Sequence, residues 1–123
     1  MTDPTTLLGG LATVVIVFLI VKRATLASPK QARQLIEDDA LILDVRSPGE
    51  FETDHLDGAV NTPLTSLSAD IADLRVPATR PILAYCLSGS RSAMAVRTLK
   101  ANGFKHAHNL GSLHRAKKIF TQS

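Results

Sequence analysis

The chain has 123 residues, with one cysteine, 14 lysine or arginine residues and 11 aspartate or glutamate residues. This length holds one small domain with a modest core, and a lone cysteine excludes an intramolecular disulfide. Nine of the basic residues lie from Arg75 onward, but the chain has no tryptophan, one tyrosine and no nucleic-acid-binding motif, so nucleic acid is not expected as a partner.

An uncharged run, PTTLLGGLATVVIVFLIV, lies near the start of the chain. It covers the 18 residues Pro4–Val21, and as a helix it would span roughly 27 Å, close to the hydrocarbon thickness of a bilayer. A secretory signal peptide carries positive charge before its apolar run, whereas here Asp3 precedes the run and Lys22 and Arg23 follow it. A buried soluble helix would show a polar face, which this run lacks. Residues 1–23 are therefore predicted to form a transmembrane anchor.

The flanking charges predict the orientation of that anchor. No lysine or arginine precedes the run, and the basic residues that follow it most closely are Lys22, Arg23, Lys30 and Arg33. The positive-inside bias places the part of the chain after the run in the cytoplasm. The expected location is the cell (inner) membrane, crossed once, with a cytoplasmic C-terminal domain in which a reducing environment keeps the lone thiol available.

Residues 24–123 are predicted to form one α/β domain. Two short apolar runs, ALILDV (Ala40–Val45) and PILAYC (Pro81–Cys86), are typical of buried parallel strands. Helical patterns alternate with them, beginning at Ser28 and at Ser47, covering Pro63–Leu74, and following the cysteine as SAMAVRTLKANG. This alternation predicts a central parallel sheet flanked by helices.

The single cysteine lies where such a sheet binds ligands, at the carboxyl end of a strand and just before a helix. The residues that follow Cys86 are Leu87, Ser88, Gly89, Ser90 and Arg91. Converging backbone N–H groups, the helix terminus and the arginine charge would lower the pKa of the thiol and make it nucleophilic. The alternative is a small cysteine buried in the core for packing alone.

Several motifs occur in a fixed order along Gln31–Ser112: DVRSPGEF, HLDGAVN, YCLSGSRS, and then NGF and NLGS. In this order they resemble a single-domain rhodanese, which is a sulfurtransferase. The resemblance implies that Cys86 takes sulfane sulfur from thiosulfate or a persulfide donor, becomes a persulfide and passes the sulfur to a thiol or protein acceptor. The loop Leu87–Arg91 would bind the donor anion, and no metal or organic cofactor is implied.

The resemblance also gives supporting roles to residues outside the loop. It assigns Asp44, Arg46 and Glu50 to a buried polar network beneath the loop, and it places His55 at a turn as a structural residue. The histidines near the C-terminus are expected at the surface rather than in a metal site, and they are His106, His108 and His114.

Other functions stay open beside sulfur transfer. One is a membrane-tethered rhodanese-like module that binds a partner or serves a neighbouring enzyme, with little turnover. Another is a phosphatase-like or arsenate-reductase-like activity, but those relatives typically have five residues between cysteine and arginine, and this chain has four, Leu87–Ser90. The shorter loop favours sulfur. Family members often carry a tryptophan near the C-terminus, and here Ile119 or Phe120 would fill its place, unless the last helix docks on the membrane instead.

Overall fold

The computed structural model describes residues 3–122, except for the side chains of residues 21–24. Its strands are β1 (Leu41–Asp44), β2 (Val60–Asn61), β3 (Ile82–Cys86) and β4 (Ala107–Ser112). Its α-helices are α1 (Pro4–Thr25), α2 (Pro29–Glu37), α3 (Pro48–Thr53), α4 (Leu67–Asp70), α5 (Ser90–Ala101) and α6 (Leu113–Thr121). Short 3₁₀ helices at Leu64–Ser66 and Ile71–Leu74 flank α4.

The four strands form one parallel sheet in the order β2-β1-β3-β4. Strand β1 pairs with β3 from Leu41 opposite Ile82 to Asp44 opposite Tyr85, and Cys86 at the end of β3 pairs with Ser112 of β4. All residues of β1 and β3 are buried, as parallel strands covered on both faces require. The predicted α/β class with a central parallel sheet is confirmed.

Helices cover both faces of the sheet because successive side chains of each strand point to opposite sides. On one face, α4 and α5 pack through Leu67, Val96 and Leu99 against alternate strand residues that include Cys86. On the other face, α2 and α6 pack against the remaining strand residues, which include Tyr85. The sulfur of Cys86 therefore lies on the α5 side of the sheet.

Local sequence signals explain where the helices begin. The Ser28 hydroxyl accepts a hydrogen bond from the Gln31 N–H at 3.1 Å. Ser47 and Glu50 form a capping box, with the Glu50 N–H donating to the Ser47 hydroxyl and the Ser47 N–H donating to the Glu50 carboxylate. At the C-terminus α6 docks on the domain and buries Ile119, so this helix packs against protein.

The predicted helix over Pro63–Leu74 is wrong in detail. Its apolar face reaches the core as expected, but the backbone is a succession of short 3₁₀ and α-helical pieces that ends at Arg75, whose φ is +49°. Serine and aspartate at intervening positions favour local turns over a continuous helix. Strands β2 and β4 were not predicted, because β2 has only two residues and β4 mixes histidine, asparagine and glycine with apolar residues.

The N-terminal apolar run forms helix α1, and its large apolar side chains from Leu7 to Ile20 are 44–67% exposed. Within the described residues, no helix is both long and apolar enough to cross a membrane. Residues 1 and 2 of the predicted anchor lie outside the described residues, and residues 21–23 lie outside the described side chains. The predicted transmembrane anchor is not supported.

Candidate functional site

Cys86 occupies the last position of β3, where the chain leaves the sheet and turns into α5. Its side chain is fully buried. Gly89, the residue before α5, has a φ of +91°, a left-handed conformation that side chains disfavour. This glycine lets the loop fold back over the sulfur and start the helix beside it.

Several donors surround the sulfur of Cys86. The backbone N–H of Gly89 donates to Sγ at 3.0 Å, the backbone N–H of Ser92 lies at 3.4 Å, and the Ser92 hydroxyl lies at 3.4 Å. Burial raises the pKa of the Cys86 thiol, but hydrogen bonds from Ser92 and from the backbone of Ser88 and Gly89 outweigh it. The pKa of Cys86 therefore lies below its ordinary value, which favours the nucleophilic thiolate.

A buried asparagine on β4 holds this loop in place. Asn109 accepts hydrogen bonds from the Ser92 hydroxyl at 2.7 Å and from the Gly111 N–H at 2.9 Å, and its amide donates to the Gly89 carbonyl at 3.1 Å. The sequence interpretation missed both Ser92 and Asn109. Little in the sequence indicated Asn109, because an asparagine followed by leucine, glycine and serine is typical of a turn, and strand β4 was not predicted.

Arg91 is bound by a carboxylate on the neighbouring helix. Its two terminal nitrogens donate to the two oxygens of Glu50, at 2.7 and 3.0 Å. The hydrogen bond from Arg91 is the main reason that the pKa of Glu50 falls to about 2, so Glu50 is ionised at neutral pH. This ion pair joins the first turn of α5 to α3.

Asp44 and Arg46 form a second ion pair, at the end of β1. Both side chains are buried, the Arg46 Nη2 donates to the Asp44 carboxylate at 2.7 Å, and it also donates to the backbone carbonyl of Asp54. The hydrogen bond with Asp44 raises the pKa of Arg46. The structure thus divides the three predicted support residues between two pairs, with Glu50 bound to the loop arginine rather than to Asp44 and Arg46.

The remaining loop residues contribute through the backbone more than through their side chains. Leu87 is 61% exposed and points away from the core. The hydroxyls of Ser88 and Ser90 hydrogen-bond to each other at 3.1 Å. The groups that approach the sulfur are therefore backbone N–H groups and one buried hydroxyl, as expected of a cradle for an anionic sulfur.

A cavity of about 400 Å³ lies beside Arg91, at the carboxyl edge of the sheet. Its walls are mainly apolar, with hydroxyl groups and the arginine at intervals. The lining residues are Val45, Ser47, Pro48, Pro63, Leu64, Thr65, Ser66 and Arg91.

The contacts of His55 are with Phe51 and not with the Cys86 loop. His55 stacks on Phe51 with ring centroids 3.8 Å apart, and its Nδ1 lies 2.7 Å from the Phe51 carbonyl oxygen. Within residues 3–122, no cluster of three or more histidine, cysteine, aspartate or glutamate side chains could hold a metal ion.

The fold and the site define a class of protein: a parallel α/β domain with a buried cysteine of lowered pKa at a strand end and a four-residue loop closed by an arginine. The rhodanese-like domain family matches residues 28–115, and the chain belongs to that family.

Similar proteins and structures support this assignment. The chain is 39% identical over 71 residues to the uncharacterized Bacillus subtilis protein YqhL, covering 58% of this chain and 55% of that protein. It is 32% identical over 71 residues to the Escherichia coli thiosulfate sulfurtransferase PspE, covering 58% of this chain and 68% of PspE. The crystal structure of the Rhodanese_3-like domain of Anabaena Alr3790 matches 65% of this chain and 92% of that domain, with a TM-score of 0.59 and 32% identity.

Proposed function

We propose that this protein is a sulfurtransferase in which Cys86 carries sulfane sulfur from a donor to a thiol acceptor. The single observation that carries the proposal is the pair of backbone N–H groups, from Gly89 and Ser92, directed at the buried Cys86 sulfur. Such a cradle stabilises an anionic sulfur without a metal ion. Similarity to PspE, a thiosulfate sulfurtransferase, supports the same chemistry.

The proposed cycle has two balanced steps. In the first, the Cys86 thiolate attacks the outer sulfur of thiosulfate, the sulfur–sulfur bond of the donor breaks, and sulfite leaves with both electrons of that bond. In the second, an acceptor thiolate attacks the outer sulfur of the Cys86 persulfide and releases the Cys86 thiolate. Each step exchanges one sulfur–sulfur bond for another, so no external oxidant or reductant is needed.

Residue roles follow from the contacts around the sulfur. Cys86 is the nucleophile, and the backbone of Ser88, Gly89 and Ser92 stabilises its anionic form. Leu87, at 61% exposure, is available for contact with the acceptor or donor. The loop of four residues between Cys86 and Arg91 supports sulfur transfer over phosphate chemistry, which the longer loop of related phosphatases serves.

A turnover assay tests the proposal. The full chain is mixed with thiosulfate and dithiothreitol, and the hydrogen sulfide released by the dithiol is measured over time. We expect turnover by the wild-type protein and its complete loss in the Cys86→Ser variant, which keeps the size of the side chain. Sulfide release that continues in Cys86→Ser would overturn the proposal, and so would the absence of release by the wild-type chain with both thiosulfate and a persulfide donor.

The cellular compartment is a separate proposal, which rests on the single free cysteine of the chain. We propose that Cys86 faces the cytoplasm, where a lone thiol stays reduced. A thiol-labelling reagent that cannot cross membranes should leave Cys86 unmodified in intact cells and modify it after lysis. Labelling of Cys86 in intact cells would contradict this placement.

A further inference from the structure

The charged side chains nearest to the Cys86 loop are arranged in two ion pairs. From α5, Arg91 is held by both oxygens of Glu50. From the end of β1, Arg46 is held by Asp44. On β4, the residues that contact the loop are uncharged, because Ser112 pairs with Cys86 and Asn109 binds Ser92. Arg115, at the start of α6, donates to the backbone carbonyls of Leu110 and Ala27.

Glu50 is itself held in place to neutralise the loop arginine. The Ser47 N–H donates to the Glu50 carboxylate at 3.2 Å and the Ser47 hydroxyl lies at 3.1 Å from the same oxygen, which also accepts from Arg91. A bidentate arginine–carboxylate pair is geometrically specific and strong for its kind. The pKa of Glu50, about 2, means that the compensating charge is present throughout the neutral range.

The charge that remains to attract a donor anion is therefore mainly dipolar. It comes from the backbone N–H groups around Cys86 and from the N-terminus of α5, each of which carries only partial charge. The Cys86 thiolate is itself stabilised by these partial positive charges, which leaves less of them for a donor anion. A donor with two negative charges close to the reacting sulfur would meet no unpaired cation among the described residues of the loop and its ion pairs.

We infer that the Cys86 site selects sulfur donors with a single negative charge at the reacting end, such as thiosulfonates and persulfides, over dianionic thiosulfate. Glu50 sets this preference as a positioning residue, because it neutralises Arg91. The inference rests on the proposed sulfurtransferase function and adds the substrate class to it. The apolar cavity beside Arg91 suits the organic portion of such a donor, which thiosulfate lacks.

The chemistry balances for both kinds of donor. With methanethiosulfonate, the Cys86 thiolate takes the outer sulfur and methanesulfinate leaves, so two negative charges enter the reaction and two remain. With thiosulfate, sulfite leaves, and three negative charges enter and three remain. The two donors therefore transfer the same atom to the same thiolate and differ by one unit of charge near the site.

The test compares these two donors on the full chain with Glu50→Gln. Glutamine keeps a side-chain oxygen for the capping box but removes the negative charge that neutralises Arg91. The second-order rate constant of persulfide formation is measured by intact mass at several donor concentrations. Coulomb energy is proportional to charge, so the doubly charged donor should gain twice the energy of the singly charged one. If Glu50→Gln raises the rate constant about threefold with methanethiosulfonate, it should raise the rate constant about tenfold with thiosulfate. Any shared change in the Cys86 thiolate cancels in the ratio of the two rate constants.

A matched control is Asp39→Asn. Asp39 is exposed and contacts Arg80 at 3.7 Å, at the opposite, amino edge of the sheet, so this variant makes the same change of charge at a weaker ion pair away from the loop. We expect both rate constants to stay at their wild-type values. Added salt should reduce the thiosulfate gain of Glu50→Gln, because it screens exposed charges.

Two further variants test the inference in case Glu50→Gln misfolds locally. Arg91→Gln leaves Glu50 uncompensated and should slow thiosulfate more than methanethiosulfonate. The double variant Glu50→Gln/Arg91→Gln restores a net charge of zero, and its donor ratio should return toward the wild-type value. Such a return is not expected from a purely structural role of either residue.

The outcomes separate this inference from the proposed function. If the wild-type chain forms a persulfide with both donors but the ratio does not move in Glu50→Gln or in Arg91→Gln, the inference is wrong and sulfur transfer stands. If the wild-type chain forms no persulfide with either donor, the proposed function fails and the inference fails with it.

Discussion

The hydroxyl of Ser92 donates its hydrogen bond to Asn109 at 2.7 Å while its oxygen lies 3.4 Å from the sulfur of Cys86. Asn109 can only accept at this oxygen, because its amide group is oriented by bonds to Gly111 and Gly89. The hydroxyl has one hydrogen, so it must turn away from Asn109 to support the Cys86 thiolate. The backbone N–H groups are the constant hydrogen-bond donors to the Cys86 thiolate. The Ser92 hydroxyl stabilises the thiolate less, because Asn109 competes for its hydrogen.

The first prediction concerns that hydroxyl. In Ser92→Ala the backbone N–H to the sulfur remains and the hydroxyl is lost, so the pKa of Cys86 should rise from its lowered value. The curve of thiol alkylation rate against pH then shifts to higher pH, and the rate near pH 7 falls by about threefold. Alkylation by iodoacetamide measures the curve. Ser68→Ala, at an exposed serine of α4, should leave it unchanged, and an unchanged curve in Ser92→Ala would contradict the prediction.

The second prediction concerns the ion pair of Glu50 in acid. The hydrogen bond from Arg91 depresses the folded-state pKa of Glu50 from 4.5 to about 2. A depressed carboxyl pKa stabilises the fold above the unfolded value, and that stability is lost as the pH falls from about 4.5 through about 2. The pair is partly exposed, so we expect a loss of only about 1 kcal/mol. Urea unfolding at pH 6 and pH 3 should show a smaller decrease in Glu50→Gln than in wild type, and equal decreases would exclude a stabilising ion pair.

The third prediction concerns the buried pair of Asp44 and Arg46. Arg46→Met leaves the Asp44 carboxylate buried without its partner, and this should lower the free energy of unfolding by about 3–5 kcal/mol. Arg80→Met is the control, because Arg80 pairs with an exposed Asp39 and should cost at most about 1 kcal/mol. Urea unfolding at neutral pH measures both. Similar losses in the two variants would show that Arg46 adds no more than a surface ion pair.

The fourth prediction concerns the loop glycine. Gly89 has a φ of +91° and its N–H is directed at the Cys86 sulfur, so Gly89→Ala should lower stability by about 1 kcal/mol and slow persulfide formation. Gly49 lies within α3 with open space around it, and Gly49→Ala should be neutral or slightly stabilising. Thermal unfolding and persulfide formation, measured on both variants, compare the two glycines. A Gly89→Ala protein with wild-type stability and rate would contradict the role given to this conformation.

The part of the site around Cys86 could be predicted from sequence, because the residues that indicate it are neighbours in the chain. The apolar run that ends in Cys86 marks a buried strand, and the glycine and arginine that follow mark a turn into a helix. Asn109 and the partner of Glu50 could not be predicted, because each contact joins segments that only the sheet order brings together. Glu50 and Arg91 lie 41 residues apart in the chain. The apolar run predicted helix α1 correctly, but the membrane anchor predicted from the same run is not supported.

The measurement that tests the central claim most directly is the intact mass of the full chain before and after a sulfur donor. Incubation with thiosulfate or methanethiosulfonate should add roughly 32 Da, one sulfur atom, as a persulfide that a reductant removes. The Cys86→Ser variant should gain nothing. A wild-type mass that stays unchanged with both donors, or a gain that persists in Cys86→Ser, would contradict the account of Cys86 as the sulfur carrier.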